Sequence, residues 1–487
     1  MLAYPRGPMH TDIREYIARL LANGYVAHVL TVAGFLLAFF LVARLMSQKK
    51  APANTFAWLL VILLVPYVGV PLFLLIGGRK LRRLAERKSQ LLPLLPGGLV
   101  GPRSSEGGAV AHTVTAAGGY PPVSGNHIEF LTTPEDEFRA LVRHIREAKT
   151  HIHITTFILG RDETGREIVR LLAERAKEGV KVRLLLDSLG CLFARWGFLS
   201  PLTRAGGEVG RFMPVLPFSS RGSANLRNHR KMAIFDHTTA IIGGRNLARE
   251  YMGPRPYRKR WRDLGTRIEG PAAALLNEVF IADWRFTTRQ SPQVLHAEIP
   301  AGVAHPVGES VLQVVASGPD VRGDPLYEGI VAMIQEAEQS IWIVTPYFIP
   351  DDVLLRSLIV KARAGRQVTL IVPAHSNHPV TDFARHHYTR ELRQAGARVL
   401  HYMGGMLHGK AMVIDDRAAL VGSANFDLRS LFVNFEIGVF VHTPSDIAVL
   451  RGWMDDLQVR CRPATPRKRR ILGSLLEDLS RLLAPLL

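Results

Sequence analysis

Five residues at fixed spacing occur twice in this chain. His229, Lys231, Asp236, Gly243 and Asn246 return as His408, Lys410, Asp415, Gly422 and Asn425, each shifted by 179 positions. At ordinary composition such a pattern has a chance rate of roughly one in ten million per start position, so two copies in register mean a duplicated module. The surrounding sequence repeats as well, with EAKTHIHITTFI in the first half matched by EAEQSIWIVTPYFI in the second. Whatever plan the first module takes, the second must follow it.

Ahead of each motif the hydrophobic pattern alternates between helix and strand. Helical spacing covers 135–149 and 165–177, with strand-like runs over 152–159 and 180–186. The same rhythm returns as helices over 327–338 and 353–364 and strands over 341–349 and 368–372. A length of 487 residues exceeds the size of one core. The fold class is therefore expected to be α/β, as two tandem domains of similar plan, each ending in one motif. The expected boundaries are a membrane hairpin with basic flanks over 1–88, a flexible linker over 89–125, domains over 126–300 and 301–460, and a basic, amphipathic tail over 461–487. The linker reading rests on the Gly, Pro, Ser and Ala content of 89–125.

Two apolar runs, 26–43 with 18 residues and 56–76 with 21, are each long enough to cross a bilayer as a helix. Pro66 and Pro71 inside the second allow a kink. Outside the pair stand Arg6, Arg14, Arg19, Arg79, Lys80, Arg82, Arg83, Arg87 and Lys88; between the runs stand Arg44, Lys49 and Lys50. That bias places both flanks, and the large remainder of the chain, on the cytoplasmic side. The net charge of +19 attracts anionic partners, nucleic acid or acidic lipid. Charge alone does not choose between them; two spans favour lipid. In the tail, Arg460, Arg462, Arg467, Lys468, Arg469 and Arg470 precede leucines at helical spacing, which suits either a membrane-surface helix or a helix packed on the body. Cys191 and Cys461 lack a metal-ligand spacing and read as inert thiols.

In a strand, alternate side chains share a face, so His229 would point with Lys231 and His408 with Lys410. Bringing the two edges together gathers two imidazoles and two ammonium groups around one small volume, which suits phosphate chemistry. A neutral histidine attacks phosphorus while a protonated one gives its proton to the departing alcohol oxygen. Lysines stabilise charge building on the nonbridging oxygens, and Asn246 and Asn425 can donate further hydrogen bonds there. Asp236 and Asp415 fall in the turn that follows and are expected to hold the strand-turn-strand unit. Gly243, Gly244, Gly422 and Ser423 would permit close backbone approach beside the phosphate. A single His-Lys pair is more often ordinary surface or core, and the duplication reverses that. The partners of the histidines are lysine and asparagine, which argues against a metal, and there is no Walker loop or dinucleotide fingerprint.

The pattern H-x-K-x4-D-x6-G-[GS]-x-N, present twice, resembles the phospholipase D superfamily. The phrases FILGRDETGREI, NHRKMAIFD, IGGRN, WRDL, TPYFIP, LHGKAMVIDD, VGSANFDLRS and NFEIG resemble bacterial cardiolipin synthases, and the likeness extends over nearly the whole chain. The resemblance implies two phospholipase D-like domains related by a pseudo-twofold axis, with the motif histidines, lysines and asparagines in one pocket at the junction. It implies a phosphatidyltransferase of the bacterial inner membrane that needs no cofactor, metal or nucleic acid. Its partners would be phosphatidylglycerol and anionic membrane lipids, with glycerol released, and homo-oligomers are compatible with it. By similarity His229 is the nucleophile and His408 the acid, then base; Glu436 and its counterpart Asp263 orient the two rings. A membrane-bound phospholipase D releasing phosphatidic acid would use the same residues. Gly244 departs from the superfamily's more widespread serine, which Ser423 keeps, so a hydroxyl is lost from the first half. Alternation puts Trp342 in the core, while Tyr347 and Phe348 stay open between core and acyl channel.

Overall fold

The computed structural model describes residues 104–465 apart from 195–196, 215–225, 300–304 and 322, together with the isolated positions His28, Val32 and Gly34. The two apolar runs and the tail beyond 465 lie outside the described residues. Among those described, no helix is long and apolar enough to cross a membrane.

The first half supplies strands β1 (Val123–Leu131), β2 (His151–Thr156), β3 (Lys181–Asp187), β4 (Glu208–Phe212), β5 (Met232–Phe235), β6 (Thr239–Gly243) and β7 (Gly265–Glu269). The second supplies β8 (Ser310–Ser317), β9 (Ser340–Val344), β10 (Phe348–Ile349), β11 (Gln367–Pro373), β12 (Arg398–Tyr402), β13 (Ala411–Ile414), β14 (Ala418–Gly422), β15 (Phe426–Asp427), β16 (Glu436–Val441) and β17 (Cys461–Pro463). Fifteen of these form one sheet, in the order β17-β12-β11-β9-β13-β14-β16-β8-β1-β7-β6-β5-β2-β3-β4. Its middle is the antiparallel β1–β8 pair. Outward from β1 run β7, β6, β5, β2, β3 and β4; outward from β8 run their counterparts β16, β14, β13, β9, β11 and β12. β2, β3 and β4 are mutually parallel, as are β9, β11 and β12, and the pairs nearer the middle are antiparallel. The duplication read from the sequence is thus a pseudo-twofold relation across one mixed α/β sheet.

Helices cover the sheet where caps and apolar stripes coincide. Helix Pro134–Glu147 starts at Thr133, whose side chain accepts from Asp136 N at 3.1 Å, and carries acidic residues in its first turn. Helix Pro271–Thr288 is buried along almost its whole length and packs on both β1 and β8, which explains an apolar composition on all sides. Its one fully buried aspartate, Asp283, holds Arg230 Nη1 at 2.6 and 2.7 Å and Asn228 Nδ2 at 2.9 Å, just ahead of β5.

Two expectations change. The strands expected over 152–159 and 341–349 stop at Thr156 and Val344. Thr156 and Thr345 each donate from Oγ1 to the carbonyl two residues on, both at 2.9 Å, and Pro346 has no N–H for the ladder. The chain leaves the sheet at matching places, and Phe157 and Tyr347 turn toward the motifs. The linker expected over 89–125, where described, is instead helix and strand. Helix Gly108–Ala116 buries Val110, Ala111 and Val114 against helix Pro325–Glu336 of the second half, and Gln313 Nε2 donates to Ala111 O at 3.0 Å. The spacing of those three small apolar residues outweighs the surrounding glycines.

Candidate active site

Both motif histidines sit in the short extended segments that enter β5 and β13, rather than in the strands themselves. Each segment is hydrogen-bonded to the other half of the molecule. His229 N donates to Phe435 O at 2.9 Å, and Phe435 N donates to Arg227 O at 2.9 Å. In mirror fashion, His408 N donates to Arg262 O at 2.6 Å and Arg262 N to Met406 O at 2.8 Å. These exchanges bring the carboxylate that follows each bridge to the ring from the opposite half. His229 Nδ1 lies 2.9 and 3.0 Å from the two oxygens of Glu436, and His408 Nδ1 lies 2.6 Å from Asp263 Oδ2. Each half therefore supplies the imidazole of one pair and the carboxylate of the other.

A carboxylate on Nδ1 keeps the hydrogen there and leaves the lone pair on Nε2. Glu436 and Asp263 are both fully buried and both remain ionised. Burial alone would raise their pKa values, but His229 and Lys231 around Glu436, and Lys410 and His408 around Asp263, bring them below the usual range. Burial pushes the rings down, His229 to about 4 and His408 to about 3, against the pull of their carboxylates. Lys410 adds to the repulsion on His229 and Lys231 to that on His408, so the four groups share one field. Burial also lowers both lysines, Lys410 to about 8. Lys231 Nζ donates to His229 O at 2.6 Å, and Lys410 Nζ donates to His408 O. Lys410 Nζ also stands 2.8 Å from His408 Nδ1. With the Nδ1 proton given to Asp263, that approach is electrostatic and not a second hydrogen bond.

The remaining predicted residues divide by task. Asp236, with a left-handed φ of 48°, accepts from Thr150 N at 2.7 Å, His151 N at 2.9 Å and Lys149 N at 2.9 Å. Asp415, with φ of 47°, accepts in the same way from Gln339 N at 2.9 Å and Ser340 N at 2.6 Å. They do more than hold their own hairpins, because each ties its turn to the start of the neighbouring antiparallel strand, β2 or β9. Asn246 Oδ1 accepts from Ile158 N at 3.1 Å, while buried Asn425 Oδ1 has no partner among the described residues. A Cβ on Gly243 would lie 2.5 Å from Leu264 O and one on Gly422 2.2 Å from Ile437 O, so both glycines are required by the strands beside them.

The Gly244–Ser423 difference has a partner. Ser423 Oγ donates to Glu436 Oε2 at 2.5 Å and accepts from Ile437 N at 3.0 Å. In the first half the shorter Asp263 occupies that space: a Cβ on Gly244 would lie 2.3 Å from its Oδ1. Instead of a serine, Leu264 N donates to Asp263 Oδ1 at 2.7 Å, and Arg245 donates to its carbonyl. Glycine with aspartate and serine with glutamate fill the same volume.

Sequence reasoning misses most of the aromatic surroundings. Tyr251 and Trp261 rings lie 5.3 Å from His408 and Tyr347 lies at 6.5 Å, whereas His229 meets Phe157 at 5.2 Å. Trp261 is two residues from Asp263 in WRDL, which is the available signal. Trp342 is core, 3% exposed, and Phe348 is fully buried, leaving Tyr347 at the site. Both cysteines are free, and burial raises their thiol pKa values, to about 12 for Cys191 and about 11 for Cys461. Among the described residues no group of three or more His, Cys, Asp or Glu is placed to hold a metal ion.

Comparison with known proteins matches both halves of the chain. The family described as "Cardiolipin synthase, PLD-like domain" matches residues 141–284 and 330–457, and "Phospholipase_D-nuclease N-terminal" matches 35–78. A cardiolipin synthase of Geobacillus sp. (strain WCH70) is 32% identical over 468 residues, spanning 90% of each chain. Cardiolipin synthase 2 of Bacillus anthracis is 36% identical over 363 residues, covering 73% of this chain and 70% of that one. The crystal structure of phosphatidylserine synthase from Haemophilus influenzae Rd KW20 superposes with a TM-score of 0.60 at 17% identity, over 78% of this chain and all of that one, a likeness of fold. With one matched domain on each side of the β1–β8 seam and relatives that span its length, the chain belongs to the family of phospholipase D-like cardiolipin synthases.

Proposed function

We propose that the protein is a cardiolipin synthase that transfers a phosphatidyl group from one phosphatidylglycerol to another through a phosphohistidine. The observation that carries this reading is the crossed pair of imidazole–carboxylate contacts, each ring fixed with Nε2 free to react. His229 Nε2 attacks the phosphorus of the first lipid, and glycerol leaves with a proton from His408. The primary hydroxyl of a second phosphatidylglycerol then attacks the phosphohistidine, returning a proton to His408 and freeing His229. Bond type is conserved, so the exchange needs no nucleotide. Burial, with lysine repulsion added to it, keeps both rings neutral, and an incoming phosphodiester anion offsets that repulsion, which favours the protonated His408 that the first step requires. Lys231, Lys410 and the amide of Asn425 stabilise the charge gathering on phosphorus oxygens.

Access supports His229 as the nucleophile and His408 as the acid. The His229 side chain is 13% exposed and the His408 side chain 4%, with His408 enclosed by Tyr251, Trp261 and Tyr347. The open ring suits the group that must reach phosphorus; the enclosed one suits a proton carrier. The apolar runs over 26–43 and 56–76, with their positive flanks, anchor the enzyme in the bacterial inner membrane with the catalytic halves cytoplasmic.

Purified full-length protein given labelled phosphatidylglycerol tests the reading. Cardiolipin and glycerol in equal amounts are expected, together with a phosphatidyl adduct on His229 when the reaction is stopped with denaturing detergent at neutral pH, where the P–N bond survives. Phosphatidic acid as the main product would identify a hydrolase. Turnover persisting in the H229A/H408A protein would refute the mechanism.

A further inference from the structure

The carboxyl ends of β11 and β12 open into a cleft of about 580 Å³ that the reaction does not use. Arg390, Arg393 and Arg462 line it with His375, His386 and His401, and Asp382 is the one acidic side chain among its described lining residues. Asp382 is already committed: it accepts from Ser376 N at 2.8 Å and pairs with buried Arg385 at 3.1 Å. The cleft is left strongly positive. Burial, and then the neighbouring Arg385, His386 and His375, hold the His401 pKa down at about 4, so the charge of the cleft comes from its arginines.

The rim is apolar as well as basic. Phe383 is 39% exposed and Met403 50%, and Val380 beside them is 44% exposed. Cationic groups set among exposed apolar side chains match a phospholipid at headgroup level, where phosphate and the first methylenes lie together. The chain's own continuation does not fit. Thr465 lines the cleft, but the residues that follow include Arg467, Lys468, Arg469 and Arg470, which a positive cleft repels. The position points to the lipid surface too. Tyr347 has its ring 6.5 Å from His408 and 5.6 Å from His378, and its hydroxyl is bonded to Asn377; Asn377 and His378 both lie between the cleft-lining residues His375 and Pro379. Both features thus open at the carboxyl ends of the parallel strands, the edge where α/β sheets take ligands.

We propose that this cleft holds the phosphate headgroup of an anionic phospholipid other than the one reacting, and docks the catalytic edge on the lipid surface. The assignment rests on the reading of the protein as a lipid enzyme.

Full-length protein in a neutral detergent, titrated with short-chain dihexanoyl phosphatidate at low salt, tests it. R393E/R462E should weaken binding at least tenfold and the milder R393Q/R462Q several-fold, while R393K/R462K and H229A bind as the unaltered protein does. In mixed micelles, the charge-reversed protein should show a several-fold higher KM for phosphatidylglycerol with kcat unchanged. Unaltered affinity in both R393E/R462E and R393Q/R462Q, loss of binding in H229A, or equal competition by inorganic phosphate or a short oligonucleotide would overturn the proposal. Cleft-dependent phosphatidate binding by a protein that does not turn over phosphatidylglycerol would refute the synthase reading and leave the cleft assignment standing.

Discussion

Gly244→Ser puts the paired substitutions of the two halves to a direct trial. The new Cβ would stand 2.3 Å from Asp263 Oδ1 and 2.7 Å from Oδ2. A carbon and an oxygen settle at about 3.3 Å, so the carboxylate must retreat by about 1 Å. The His408 Nδ1–Asp263 Oδ2 contact of 2.6 Å would then stretch out of hydrogen-bonding range. Losing a charge-assisted hydrogen bond costs about 1.5–3 kcal/mol, which corresponds to roughly a ten- to hundredfold fall in rate if the bond is needed at the transition state. The double change G244S/D263E rebuilds the arrangement of Ser423 and Glu436, in which serine bonds the longer carboxylate and the carboxylate still reaches its ring at 2.9 Å. It should recover most of the loss. Initial rates of cardiolipin formation from labelled phosphatidylglycerol at saturating surface concentration measure both variants. A G244S protein at the unaltered rate, or a double variant no faster than the single one, would refute the idea that the two pairs are interchangeable in volume.

Burial holds Lys410 at about 8, so its charge is present below that pH and lost above it. If Lys410 binds phosphate, kcat/KM should fall by up to about tenfold per pH unit beyond 8; K410R, which stays charged, should flatten that limb at a lower absolute rate, and an identical limb in K410R would exclude Lys410 as its cause. Asp236→Ala removes bonds to three successive backbone N–H groups leading into β2 and should cost about 2–3 kcal/mol of stability. Thermal unfolding of the purified protein measures it, and an unshifted midpoint would contradict the clamp. Because those bonds depress the Asp236 pKa below its unfolded value of 3.8, this contribution is present above pH 3.8 and fades as the pH falls further.

The duplicated motif makes the two-half architecture legible in the amino-acid sequence, because a repeat of that length cannot be satisfied by one copy of the fold. The parallel cores are legible for a similar reason: continuous apolar runs such as β3 and β11 have no exposed face to interrupt them. The crossing of the carboxylates is not legible. Glu436 is 207 residues from His229 and Asp263 is 145 from His408, and no local periodicity encodes a contact of that separation. Both acids stand out by their phrases, yet each could be assigned as readily to the ring of its own half. Helix Gly108–Ala116 is hidden by its glycine-rich flanks, since its burial depends on helix Pro325–Glu336, more than 200 residues further on. The strand expected over 341–349 runs past Pro346, a local signal in the sequence that β9 ends before it.

The exchange of partners across the seam has a bearing on the life of the nascent chain. A ribosome that has delivered residues as far as 300 has made a half whose His229 lacks Glu436 and whose Asp263 lacks His408. Such a fragment holds a ring without its carboxylate and an acid without its ring. Under the proposed mechanism, reactivity would wait until the strand that begins at Glu436 has been synthesised and threaded into place.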